Sequence, residues 1–255
     1  MRLLCFRIQG KMAHFRRYYS NSSSLTYSIP PRTTVAGIVA GLLGLERDSY
    51  YEIFSLDQCR IAVASCSPIK KVMQKMNLLK VESVNDLNGF QEHHSQTATE
   101  FVLPQNIRTG MIDYRVWFYH VDQNIMGKLE KILSNSSVIN GYVSAGISLA
   151  LGTAGNLGWL TYEGVLEGEE IQEEVNVPIF SSIPASGIKE IVVEKTNMVE
   201  YRLVKEDMPF EFDRSRRLTN RGKGSMIINL NSAPIFAKVS HHIRLANHES
   251  IMWMQ

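Results

Sequence analysis

The chain opens on an alternation. Over Leu3–Gln9, residues Leu4, Phe6 and Ile8 fall on one side and Cys5, Arg7 and Gln9 on the other, the period-two signature of a half-buried strand. A polar loop over 10–29 follows. Val35, Ile38, Val39, Leu42 and Leu43 then recur at i, i+3, i+4, i+7 and i+8, which predicts a helix with one apolar stripe. Pro30 and Pro31 stop any preceding element, and Thr33 or Thr34 is placed to cap the helix. Gly37, Gly41 and Gly44 lie on another side of it; glycines there lower helix stability and are expected where a sheet or another backbone packs tightly.

Cys59–Cys66, rich in small and β-branched residues, reads as a second strand, and the aromatic-rich Tyr114–Val121 as a third. Asp122 caps a second helix with the stripe Ile125, Leu129, Ile132 and Leu133, and Ile147–Leu151 reads as a fourth strand. Strand, helix, strand, strand, helix, strand is the ferredoxin-like βαββαβ order, an α+β fold with both helices on one face of an antiparallel sheet. Residues 68–110, between the second and third strands, are long and polar with no steady period. They read as a protruding arm, a β-hairpin with its tip between Val84 and Gln96. Short strand-like pieces at Trp159–Val165, Glu190–Glu194, Tyr201–Lys205, Met226–Asn229 and Ile235–Val239 predict a small, mostly-β C-terminal extension. The expected division is 1–155, carrying the insertion at 68–112, and 156–255.

A chain of 255 residues with 44% hydrophobic content can bury a sizeable core. The net charge of +2 does not announce a nucleic-acid binder, so any basic surface has to be local. Cys5, Cys59 and Cys66 are odd in number and lack pair spacing, which suggests neither a disulfide framework nor a zinc ribbon and fits a cytoplasmic protein. The early charges of MRLLCFRIQG and the lack of a run of about 20 apolar residues predict neither export nor a membrane span.

No Walker loop, dinucleotide fingerprint, HExxH or nucleophile elbow is present. The run GTAGNLG over Gly152–Gly158 looks superficially like a phosphate loop but lacks the lysine, and reads better as a turn. His93, His94, His241, His242 and His248 lack partners at metal-site spacing, so no metal and no cofactor is expected. A metal-independent ribonuclease would need a His, Tyr and Lys trio as base, acid and charge stabiliser, and no convincing cluster of these is visible. The basic groups are more specific. Arg214, Arg216, Arg217, Arg221 and Lys223 fall within ten residues; Lys70, Lys71 and Lys75 start the arm; Arg16 and Arg17 stand beside Phe15, Tyr18 and Tyr19; and Arg32 marks a helix N-terminus that favours an anion. Each also reads as an ordinary solvated face, and Arg32 as a solvated residue of a capped core helix.

The first strand with AHFRRYY, the block YSIPPRTTVAGIVAGLLGLER and the long hairpin insertion together resemble the Cas five family of CRISPR-associated proteins, most strongly over residues 1 to 66. The resemblance implies an RRM-like palm with a hairpin thumb, in a non-catalytic subunit of a type I Cascade surveillance complex, closest to the I-B kind. Such a subunit holds the repeat-derived 5′ handle of the crRNA, abuts a backbone subunit and the large subunit, and lies near target DNA through the complex. By position it would make Phe15, Arg16, Arg32, Thr33 and Thr34 palm contacts and put Lys70, Lys71, Lys75 and Arg108 on the thumb. Arg17, Arg214, Arg216 and Arg217 join the candidate RNA contacts on charge alone. The alternative is an endoribonuclease that processes CRISPR precursor RNA.

Overall fold

A computed structural model describes residues 1–20, 23–77, 84, 96–135, 138–139, 142–143, 149–192 and 200–255. The arm tip between Val84 and Gln96, with His93 and His94, lies outside the described residues, as do Ile147 and Ser148.

The alternating opening segment forms β1 (Arg2–Gly10), and the apolar stripe forms α1 (Arg32–Leu42). Next come β2 (Cys59–Ser65), β3 (Ile69–Asn77), β4 (Gln96–Pro104), β5 (Ile112–His120) and α2 (Gln123–Asn135). Asp122 caps α2 as expected, its Oδ1 accepting from Asn124 N at 2.8 Å. The next long strand is β6 (Leu157–Ile171). It takes the place expected of a fourth strand at Ile147–Leu151, which among the described residues is represented by Leu149–Ala150, paired along the start of β6. Gly152 ends that short piece because the chain there turns back on the loop after β1.

Strands β6, β1, β5 and β2 lie side by side in that order, each antiparallel to its neighbour. On one face Leu4, Phe6 and Ile8 share a core with Val35 and Val39 of α1 and Met126, Leu129 and Leu133 of α2. On the other, Leu3, Cys5 and Trp117 are buried by Ile243, Leu245, Ile251 and Trp253. That burial carries the Cys5 thiol up to about 12. The first strand is therefore covered on both faces over its first half, and its polar alternation survives only at Arg7 and Gln9.

The C-terminal strands extend this same sheet. The far end of β6 pairs with β12 (His242–Leu245), and β13 (Ser250–Ile251), β7 (Val175–Ile179), β11 (Ile235–Val239) and β8 (Ile188–Ile191) complete ten strands, all antiparallel except β7 with β13. The expectation had missed β7, β12 and β13. At the opposite edge, Met254 N donates to Ile61 O and Ser182 N to Val63 O, both at 2.8 Å, so the exposed side of β2 is occupied by the chain itself. A smaller sheet of Ile183–Pro184, β10 (Lys223–Asn229) and β9 (Leu203–Pro209) packs Met208, Phe210, Met226 and Ile228 into the helix-side core.

Gly164, at φ +117°, allows a bulge where β6 passes Cys5 and Phe6. The bulge aims Glu163 at two arginines, Arg7 at 2.6 Å and Arg115 at 2.5 Å, and Arg115 also donates to Glu249 at 2.8 Å. The polar remainder of this face is thereby closed by ion pairs.

Candidate nucleic-acid interface

Three segments meet at one end of the molecule: the loop after β1, the hairpin β3–β4 and the turn over residues 151–156. The hairpin is in continuous register from Ile69 opposite Pro104 to Asn77 opposite Gln96. The loop is stitched to it by reciprocal backbone bonds between Ala13 and Val102, at 3.0 and 2.9 Å, and by Ser24 N to Ala98 O at 2.8 Å. On its other side His14 N donates to Leu151 O at 2.9 Å. A Cβ on Gly152 would stand 1.7 Å from His14 O, so only glycine fits where turn and loop meet.

The side chains at this junction enclose a cleft of about 550 Å³. Met12, Met76 and Phe101 form its apolar walls, Gln74, Thr153 and Asn156 its polar ones, and Arg16 is exposed at its rim. The His14 ring has both nitrogens engaged: Nδ1 lies 2.6 Å from Glu100 O and Nε2 2.9 Å from Ser24 Oγ. A carbonyl only accepts, so Nδ1 carries the proton and Nε2 accepts from the serine hydroxyl. No nitrogen is left to take a proton from a substrate. Among the described residues no three His, Cys, Asp or Glu side chains converge as a metal-binding set.

A second cleft, about 350 Å³, lies across Gly152, between Leu149–Ala150 and the α1 face carrying Thr34, Gly37 and Gly41. This corrects the expectation that the glycine face is packed tightly. A Cβ on Gly37 would come to 3.2 Å from the Tyr50 hydroxyl, while Gly41 and Gly44 face open space.

Residues 3–110 match the model of a family described as CRISPR-associated protein (Cas_Cas5). The match runs from β1 through the hairpin β3–β4 and includes the segment that carries the sequence resemblance. A crystal structure of a CRISPR protein from Archaeoglobus fulgidus is similar over 98% of each chain, with 13% identity and a TM-score of 0.57, a likeness of fold. A crystal structure of a Cas protein, with 16% identity over 91% of this chain and 98% of that one, and a chain of a CRISPR RNA-guided surveillance complex, with 13% identity over 92% and 91%, each give a TM-score of 0.44. No curated protein sequence matches the chain.

The candidate contacts separate into three groups. Arg16, Lys70, Lys75 and Arg108 have no carboxylate partner among the described residues; Arg16, Lys75 and Arg108 are exposed and Lys70 half-buried.

The second group is neutralised. Arg17 and Lys71 converge on Glu206, which is only 5% exposed. Burial works against the charge on Arg17, but Glu206 and Tyr19 outweigh it and hold the guanidinium above its ordinary value. Ser28 donates to the same carboxylate from its backbone N at 2.8 Å and from its hydroxyl at 3.0 Å. The arginine-rich loop is paired as well: Arg214 with Glu52, Arg216 with Asp48, Arg217 with Asp213, Arg221 with Asp57 and Lys223 with Asp207. The Arg216 guanidinium holds the Asp48 carboxyl below its ordinary range. Five clustered cations in the sequence become five ion pairs: Asp213 and Asp207 lie nearby in the chain, while Asp48, Glu52 and Asp57 are brought beside the loop by folding.

The third group lies inside. Phe15 is 2% exposed and meets Tyr114 edge-on, with ring centroids 5.9 Å apart, so it cannot stack on a base. Arg32 is also 2% exposed. Its Nη1 donates to Phe210 O at 2.8 Å and its Nη2 to the carbonyls of Phe54, Ser55 and Cys59 at 2.9, 2.9 and 2.6 Å. Burial lowers its pKa. The anion site read at this helix start is corrected: the arginine turns into the core and its amino groups are committed to backbone carbonyls. Nor do the threonines cap α1. Pro31 is the N-cap, without a side-chain hydrogen bond, and Thr33 and Thr34 are half-buried in the first turn.

The cleft residues Met12, His14, Met76, Phe101 and Asn156 were absent from the sequence-level set. GTAGNLG was the available signal, and it marks the turn that closes the cleft.

Proposed function

We propose that the chain is a non-enzymatic RNA-binding subunit of a Cascade-type CRISPR effector complex, holding the repeat-derived 5′ handle of the crRNA in the cleft between loop, hairpin and glycine-bearing turn. We read β6, β1, β5 and β2 with α1 and α2 as an RRM-like palm and β3–β4 as its thumb. The observation that carries the reading is which of the candidate cations lack a carboxylate partner. Arg16, Lys70, Lys75 and Arg108 lie on the loop, the hairpin and the turn after it, whereas Arg17, Lys71 and the arginines of the 214–223 loop are neutralised. Phosphates are held by free cations, and a paired one contributes less. The family match supports a CRISPR context for that binding.

The sheet face opposite the helices, where an RRM stacks bases on aromatic side chains, is covered here by Trp253 and Ile251 and by the Arg7, Glu163 and Arg115 ion pairs. RNA is therefore assigned to the cleft. The engaged His14 ring supports binding without cleavage. Docking to a backbone subunit and to the large subunit, nearness to target DNA and a cytoplasmic setting belong to the same proposal.

The test is incubation of the purified protein with labelled repeat RNA across a salt series, with and without EDTA, scoring retention and cleavage together. Salt-sensitive retention of intact RNA is expected. Site-specific cleavage that persists in EDTA would replace this reading with the endoribonuclease one.

A further inference from the structure

The cleft has a built interior that phosphate binding does not use. Its walls at Met12, Met76 and Phe101 are apolar, so an anion placed there would lose its hydration with no cation to replace it; Arg16 stands at the rim. A flat, uncharged group fits such walls, since thioether and aromatic surfaces both pack favourably against a π face.

The polar wall supplies a second, independent observation. Asn156 is 3% exposed, and its Nδ2 has no hydrogen-bond partner. The residue cannot move away to find one. Its carbonyl accepts from Leu151 N at 2.7 Å and its N–H donates to Thr153 O at 2.9 Å, which closes the turn at both ends. Buried amide donors are paired in nearly all native structures, and an unpaired one at a cavity wall points to an acceptor that a ligand brings. The other buried polar groups of the wall are committed: the His14 nitrogens to Glu100 O and Ser24 Oγ, and the Ser24 N–H to Ala98 O. Gly155 adds no bulk beside Asn156, as nothing lies within 4 Å of where its Cβ would be.

We propose that this cavity receives one unstacked nucleobase of the bound RNA, with the Met and Phe walls against its faces, Asn156 Nδ2 donating to an acceptor on its edge and Arg16 on the phosphate outside. The inference rests on the RNA-binding reading above and adds that one position of the strand is held by its base. Unpaired RNA bases are recognised by this combination of stacking surface and edge hydrogen bond.

The experiment is an abasic scan. Repeat RNAs in which each nucleotide in turn is replaced by an abasic ribose are titrated against the wild-type protein, Asn156→Leu and Met76→Trp, the last of which fills the cavity from the hairpin without touching the turn. One abasic position is expected to weaken wild-type binding about tenfold, the scale of one lost stacked base. In Met76→Trp that penalty should vanish. Asn156→Leu should bind all four bases at that position within about twofold of one another. A flat abasic scan, with RNA still bound in a salt-dependent way, overturns the base pocket and leaves the RNA-binding reading intact. Failure of the wild-type protein to bind any RNA overturns both.

Discussion

Arg32 and Phe210 are 178 positions apart, yet a 2.8 Å hydrogen bond from the arginine's Nη1 to the phenylalanine's carbonyl oxygen joins the first turn of α1 to the end of β9. The same guanidinium spans Phe54, Ser55 and Cys59 through Nη2, so one buried cation ties the helix, the segment after it and the smaller sheet together.

Arg32→Ala is therefore expected to destabilise the protein by at least about 3 kcal/mol, since each buried acceptor left unpaired costs about 1–3 kcal/mol. Urea unfolding checks the stability, and RNA titration of the remaining folded protein should match the wild type. A variant as stable as the parent that no longer binds RNA would return Arg32 to the interface.

Glu206 is the corresponding anionic centre, holding Arg17, Lys71 and Ser28. Glu206→Ala leaves two partly buried cations uncompensated and should cost about 3–5 kcal/mol, the usual scale for breaking a buried ion pair. Glu206→Gln keeps the shape and part of the hydrogen bonding and should cost less. Equal stability of both variants and wild type in thermal melts would mean that the loop and β3 are held by other contacts.

The glycines of the turn separate by geometry. Gly152 sits at φ +93° with His14 O in the space of a Cβ, so Gly152→Ala should lose about 1–3 kcal/mol to backbone strain alone, and more to the displaced loop. Gly155 has open space. Gly155→Ala should melt within a degree or two of wild type, and comparing the two alanine variants by calorimetry isolates the close approach.

Charge pairing ranks the arginines. Arg16→Ala should weaken RNA binding and flatten the slope of log affinity against log salt by about 0.7, the value of one phosphate contact on a single strand. Arg216→Ala removes a cation already held by Asp48 at 2.7 Å and should leave the slope nearly unchanged. The reverse ranking would place the RNA on the 214–223 loop.

His242 provides a pH dependence. It is 1% exposed with neither ring nitrogen bonded, and burial first, then the nearby Arg244 and His241, lower its pKa below the ordinary 6.5. In the unfolded chain the ring protonates near 6.5, while in the folded protein it stays neutral to lower pH. The unfolded state thus binds the extra proton first, and stability is expected to fall as pH drops below about 6.5. His242→Leu should flatten the melting temperature between pH 7.5 and 5 relative to wild type; an unchanged pH profile would show that the ring titrates normally.

What the sequence by itself determined was local. Period two placed β1, the 3.6-residue stripe placed α1, Asp122 marked the start of α2, and a long aperiodic insertion between two strand patterns signalled the hairpin. Those signals lie within a dozen or so neighbouring residues, where propensity and amphipathicity act. The tertiary structure alone decided which cations are free. Arg32 reads as a helix-mouth anion site until the carbonyls of residues 54, 55, 59 and 210 surround it, and the arginines of 214–217 read as a basic patch until Asp48 and Glu52 arrive beside them. Electrostatic free energy depends on through-space distance and burial, which sequence spacing does not encode, and the same holds for the cleft, assembled from three segments that only folding brings together.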